Sequence, residues 1–153
     1  MTGETLDRPY RGDFLGNTHH FALTVYYEDT DLSGIVYHAN YLRFFERARS
    51  DMLRSLGIDQ RAAFEQGLGT YAVTEMQIRW KRPAKLDDEL VILSKVTKIR
   101  AASCFIHQRV MRGREILADA TVTAALLSPE GRPVRQPAEW IDKFSAKLAK
   151  GEE

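Results

Sequence analysis

The sequence is poor in residues that would staple or anchor it. One cysteine, Cys104, stands in 153 residues. That excludes an internal disulfide and leaves no cysteine set for zinc. Charge of either sign is not in excess: 22 Lys and Arg against 21 Asp and Glu give a formal net charge of +1. No overall field therefore points to nucleic acid or to a membrane surface. No window approaches the roughly 18 apolar residues that a membrane-spanning helix needs. The opening run MTGETLDRPYRGDFLGN is polar and lacks the apolar core of a signal peptide. The expectation is a cytoplasmic protein with no membrane span and no nucleic-acid partner.

The length suits one domain, and the 44% of apolar residues suffice for a core. Residues 1–18 carry Gly3, Pro9, Gly12 and Gly16 among charges and read as a flexible N-terminal tail with little structure of its own. The domain proper is expected over 19–150. HHFALTVYY, at 19–27, alternates with Phe21, Leu23, Val25 and Tyr27 on one side and predicts a strand. A loop of turn formers follows at 28–34. From about His38 the period changes. Tyr41, Phe45, Ala48 and Met52 recur at helical spacing, with Leu42, Leu53 and Leu56 widening the stripe. Arg43, Glu46, Arg47, Ser50, Asp51 and Arg54 fall mostly on the opposite side, which predicts an amphipathic helix stopped by Gly57. Asp59 caps a short second helix over QRAAFEQ.

Four further strand patterns run from 70 to about 82, over 89–99, from near 103 to 111 and over 115–127. Pro83 stops the first, and Arg112-Gly113-Arg114 reads as a tight turn. A terminal helix is expected over 137–150. One long helix against about five antiparallel strands is an α+β domain with the helix as the axis of its core.

The chemistry gathers at the start of that helix. Glu28, Asp29 and Asp31 sit within four positions just ahead of a helix N-terminus, which carries partial positive charge and unpaired N–H groups. Asp31 lies some seven residues before the helix, too far for simple capping. The Gly34-Ile35-Val36-Tyr37 run between them is apolar and suited to the wall of a dry pocket. His38, at the first turn, offers a backbone N–H to a ligand oxygen; its imidazole as a base is the weaker reading. Asn40, Tyr37 and Tyr41 are polar-tipped neighbours that could line the pocket. Asp29, Asp31, His38, His19 and His20 match no metal-ligand spacing, so no metal is expected. Ser33 as a nucleophile lacks a visible His and acid around it.

These residues carry a resemblance. The run Asp29-Thr30-Asp31-x-x-Gly34-Ile35-Val36-Tyr37-His38-x-x-Tyr41-x-x-x-Phe45 resembles the signature of the 4-hydroxybenzoyl-CoA thioesterase family, acyl-CoA thioesterases with the hot-dog fold. The closer likeness is to its YbgC-type, Tol-Pal-associated branch, supported by the later segment from Arg79 through Pro83-Ala84 to Leu86-Asp87-Asp88. Thr24 departs from the Arg or Gln usual in that signature. The resemblance spans about 20–145. It implies a long helix wrapped by a five-stranded antiparallel sheet, and dimers or tetramers with sites at the interface. It implies acyl-CoA, or acyl carrier protein, as the partner, aliphatic acyl groups, and no cofactor, CoA being part of the substrate. It places the catalytic carboxylate on Asp31 and the oxyanion-binding N–H on His38. It also implies that Arg100, with Ala101, Ala102 and Ser103, meets CoA, with Arg112 and Arg114 as second candidates. Two other functions fit a hot-dog fold: a non-catalytic acyl-CoA-binding module, and a dehydratase or hydratase pairing His38 with an acid such as Glu46.

Overall fold

The computed structural model describes residues 3–148. Its elements are α1 (Gly3–Leu6), β1 (Asp13–Leu15), β2 (Thr18–Thr24), α2 (Tyr41–Ser55), α3 (Gln60–Glu65), β3 (Thr70–Trp80), β4 (Glu89–Ile99), β5 (Ser103–Arg112), β6 (Glu115–Leu127) and α4 (Ala138–Ala146). The strands form one antiparallel sheet in the order β1-β2-β4-β5-β6-β3.

The sheet wraps α2, and the reason is visible in both patterns. Leu90, Ile92, Ser94 and Val96 alternate inward on β4, and Cys104, Ile106, Gln108 and Val110 do so on β5. Against them α2 turns Tyr41, Phe44, Phe45, Ala48 and Met52, all buried. Each large side chain so buried contributes roughly 1.5–3 kcal/mol, so the helix fixes the curvature of the sheet around it. Asp59 caps α3 as expected, its carboxylate accepting from the Ala62 N–H at 3.0 Å. The terminal helix is shorter than expected: it covers Ala138–Ala146, Lys147 leaves the helical conformation and Leu148 bridges Val96, while the expected end at 149–150 lies outside the described residues.

The sheet has six strands, not five. The sixth is β1, inside the stretch that composition marked as a tail. It pairs Asp13 with His20, Phe14 with His19 and Leu15 with Thr18. Three residues are too short to show a period, and the glycines beside them resemble tail composition. Gly12 is there for another reason: a Cβ on it would stand 2.1 Å from the His20 carbonyl oxygen. The strap enters the fold only because this position has no side chain.

A second correction concerns α2. Asp51, assigned to the solvent side, is buried; its Oδ2 accepts from the Gly12 N–H at 2.9 Å and lies 2.8 Å from Nε2 of the equally buried His19. Leu42, assigned to the apolar stripe, is exposed, while Phe44 is fully buried. The buried face of α2 is thus rotated toward β1 and β2: Gly12, just before β1, and His19 on β2 are the partners of Asp51.

Candidate active site

The 26–40 segment is built by its acids, and each has a different task. Asp29 is buried. Its carboxylate accepts from the Tyr26 N–H at 2.8 Å and from the Asn40 amide at 2.9 Å, and its carbonyl accepts from the Tyr37 N–H at 2.9 Å. It ties the loop to the start of the helix. Glu28 is exposed.

Asp31 is exposed, in a turn closed by the Gly34 N–H donating to its carbonyl at 3.0 Å. Gly34 has φ +82°, a conformation that costs glycine nothing. The Ser33 hydroxyl and N–H both donate to Oδ1 of Asp31, the N–H at 2.8 Å. These two bonds, the hydroxyl's first, hold the carboxyl below its ordinary value of 3.8, with a smaller pull from His38. Both bonds fall on Oδ1, which leaves Oδ2, unpaired among the described residues, for a substrate or a water.

Ile35 and Val36 lean on the segment after β3: Ile35 bridges Lys85, and the Val36 N–H donates to the Ala84 carbonyl at 2.8 Å. His38 opens a single 3₁₀ turn, His38–Asn40, that runs into α2. The first N–H groups of such a turn have no acceptor within it. The turn is held from outside, because the Trp80 indole donates to the His38 carbonyl at 3.2 Å. The Tyr37 ring lies tilted against the His38 imidazole, with the ring centroids 4.6 Å apart.

A cleft of about 380 Å³ opens between these parts, lined by Asp31, Ile35, Val36, His38, Tyr41 and the 80–83 run. Of the residues expected at the site, Asp31, His38, Ile35, Val36 and Tyr41 meet there. Gly34 shapes the turn, and the Asn40 amide is committed to Asp29. Tyr41 is buried and hydrogen-bonded to the Ala84 backbone; burial raises its phenol pKa. Glu46 lines a different cavity, with Arg49 and Cys104, and does not meet His38.

Arg100 and Ser103 sit elsewhere. β4 begins at Glu89, beside Thr24, and ends at Ile99, so its ten steps carry Arg100 about 30 Å from the Asp31 end. Arg112 is paired to Asp88 at 2.8 Å and to Glu115 at 3.4 Å. Trp80, Lys81 and Arg82 were not anticipated as lining residues. An aromatic and two cations immediately before Pro83 were the available signal, since a strand that stops there must present them at the sheet's end.

The chain matches the family model described as thioesterase-like superfamily over residues 25–148. It is 40% identical over 126 residues to the acyl-CoA thioesterase YbgC of Haemophilus influenzae, covering 82% of this chain and 93% of that one. It is 39% identical over 122 residues to the acyl-CoA thioester hydrolase YbgC of Escherichia coli O157:H7, covering 78% and 90%. A probable thioesterase from Bartonella henselae superposes with a TM-score of 0.75 at 39% identity, over 78% of this chain and 99% of that one. The helix-wrapping sheet, the carboxylate at the mouth of the helix and these relatives agree: the chain belongs to the thioesterase-like superfamily of hot-dog enzymes, beside the YbgC acyl-CoA thioesterases.

Proposed function

We propose that this protein hydrolyses the thioester of acyl-CoA to a free acid and CoA, with Asp31 as the reacting carboxylate. The observation that carries this is Asp31 itself: a carboxylate held ionised by Ser33, with one oxygen uncommitted, at a cleft that also holds His38 at a helix start. The His38 N–H, helped by the helix dipole, polarises the thioester carbonyl and receives the developing oxyanion. Asp31 then acts in one of two ways. It attacks the carbonyl carbon, expelling the CoA thiolate and leaving a mixed anhydride that water opens. Alternatively, it takes a proton from a water that attacks the same carbon, and the tetrahedral intermediate collapses to the acid as the C–S bond breaks and the CoA thiolate leaves with that proton. Ile35 and Val36 keep the acyl side of the cleft apolar, which suits an aliphatic chain.

Thiol release from a panel of acyl-CoAs, short to long aliphatic and one aromatic, with an acyl-acyl carrier protein alongside, tests the reading. Turnover of aliphatic acyl-CoA is the expected result. Binding of acyl-CoA without any turnover would replace the enzyme reading with that of a binding module.

The same reading includes a second copy of the chain. β3 ends the sheet with its outer edge unpaired among the described residues, and Val73 and Trp80 stand exposed along it. An eleven-residue edge of that kind is a template for another strand. We expect β3 to pair with β3 of a partner copy, joining two sheets beside the two clefts. Sedimentation at assay concentration should find a dimer or a dimer of dimers. A fully active monomer would remove the partner from the mechanism.

A further inference from the structure

The loop that carries Asp31 is held at both ends by one segment, the 81–88 run that joins β3 to β4. Before the loop, the Val25 N–H donates to the Asp88 carbonyl at 2.9 Å, and the Val25 carbonyl accepts from the Asp87 N–H at 3.0 Å. After it, the Val36 N–H donates to the Ala84 carbonyl at 2.8 Å and Ile35 bridges Lys85. Asp31 lies between these two anchors, and His38 comes just after the second.

A segment with that task must itself be held. Asp87 has φ +67°, and apart from glycines it is the one described residue with a positive φ. A backbone of that kind persists only where its surroundings fix it. The fixing comes from Arg112, at the end of β5. Its Nη1 donates to the Asp88 carboxylate at 2.8 Å and to the Pro83 carbonyl at 3.1 Å, and its Nε donates to Glu115 at 3.4 Å. The same Asp88 oxygen accepts from the Lys85 N–H at 2.8 Å. One guanidinium thus ties both ends of 83–88 to the β5–β6 hairpin. The Lys85 N–H and, after it, Arg112 hold the Asp88 carboxyl below its ordinary value of 3.8, so the pair stays charged at neutral pH. Among the described residues the cleft is lined by Pro83 but not by Arg112.

We infer, on the acyl-CoA thioesterase reading, that Arg112 and Asp88 are positioning residues for the reaction at Asp31: their contact locks the 83–88 segment, and that segment sets the places of Asp31 and His38 relative to each other. Arg112 acts here through the backbone and needs no contact with CoA. A shift of about 1 Å between reacting groups can cost about 10²-fold in rate, so a clamp far from the thioester is enough to govern turnover.

The test compares Arg112→Ala, Arg112→Lys and Asp88→Asn with the wild type, on acyl-CoA and on the matching acyl-pantetheine, well below the melting temperature. Arg112→Ala should lower kcat by about 10–10²-fold with KM little changed, and by the same factor on both substrates. Arg112→Lys, which supplies a cation to Asp88 without the fork, should recover part of the loss. Adding Asp88→Asn to Arg112→Ala should cost little more, because both act through one contact; losses that simply multiply overturn the shared role. An unchanged kcat overturns the proposal even if the protein melts lower. A rise in KM for acyl-CoA alone overturns it too, and assigns Arg112 to the CoA end of the substrate. Amide exchange needs no turnover. In Arg112→Ala the Val25 and Val36 N–H groups should exchange faster while those of α2 hold their rates, and unchanged exchange overturns the clamp. A wild type that hydrolyses no thioester overturns the thioesterase reading, and the exchange comparison then still decides whether Arg112 seats the loop.

Discussion

Replacing Asp31 with Asn should reduce thiol release from acyl-CoA by about 10²–10⁴-fold while leaving the melting temperature unchanged. The substitution is nearly silent in structure. Asn keeps an oxygen where Oδ1 accepts from the Ser33 N–H and hydroxyl, so the turn and Gly34 stay in place. The side chain is exposed, so no packing is lost. What disappears is the negative charge that either attacks the thioester or deprotonates water. Turnover near the wild-type level in that variant would remove Asp31 from the chemistry.

The pH profile tests the same assignment from the other side. A base or nucleophile works deprotonated, so its rate falls as pH drops through its pKa. The Ser33 bonds move the Asp31 pKa below 3.8, and kcat/KM reports the free enzyme. It should therefore stay level on the acid side of neutrality down to about pH 5. A fall between neutrality and pH 5 would put an imidazole in the proton path and displace the backbone role given to the His38 N–H.

The site was legible in the sequence because its parts are close in the chain. Asp31, Gly34, Ile35, Val36 and His38 lie within eight positions, and the change of period at His38 marks the helix whose start they face. Asn40 shows the limit of that reading. Its place beside the helix start was clear, but its side chain donates to Asp29, eleven positions back, a partner that spacing alone does not show. Lys81 and Arg82 join the cleft from the far end of another strand, and only the pairing of 35 with 85 brings them there. Arg100 and Ser103, implied at the site by resemblance, reach no cleft in this chain with Asp31. Asp51 was misplaced for a similar reason: a charged residue at the margin of a helical stripe reads as solvated unless its partner is known, and His19 is 32 positions away.

That pair should have the largest effect on stability. Asp51→Ala leaves a buried donor, the His19 ring, and a half-buried one, the Gly12 N–H, without their acceptor. The expected loss is about 3–5 kcal/mol, a fall in melting temperature of roughly 10 °C for a chain of this size. Asp51→Asn keeps an acceptor oxygen and should lose less. An Asp51→Ala protein melting with the wild type would mean that the strap holds without this contact. The same pair sets a pH response. Burial lowers the His19 pKa below 6.5 more than Asp51 raises it, and the geometry agrees: Nε2 faces Asp51, while the buried Nδ1 meets no partner among the described residues. A proton on Nδ1 would have no acceptor, so the folded state keeps His19 neutral. The unfolded chain takes up that proton from about pH 6.5 downward. It then binds more protons than the folded chain, and stability falls as pH drops from 6.5 toward the lowered pKa. His19→Gln, which keeps a donor for Asp51 and cannot titrate, should flatten this fall. Urea midpoints for both proteins, taken above and below pH 6.5, measure it. Equal slopes would assign the acid sensitivity to other groups.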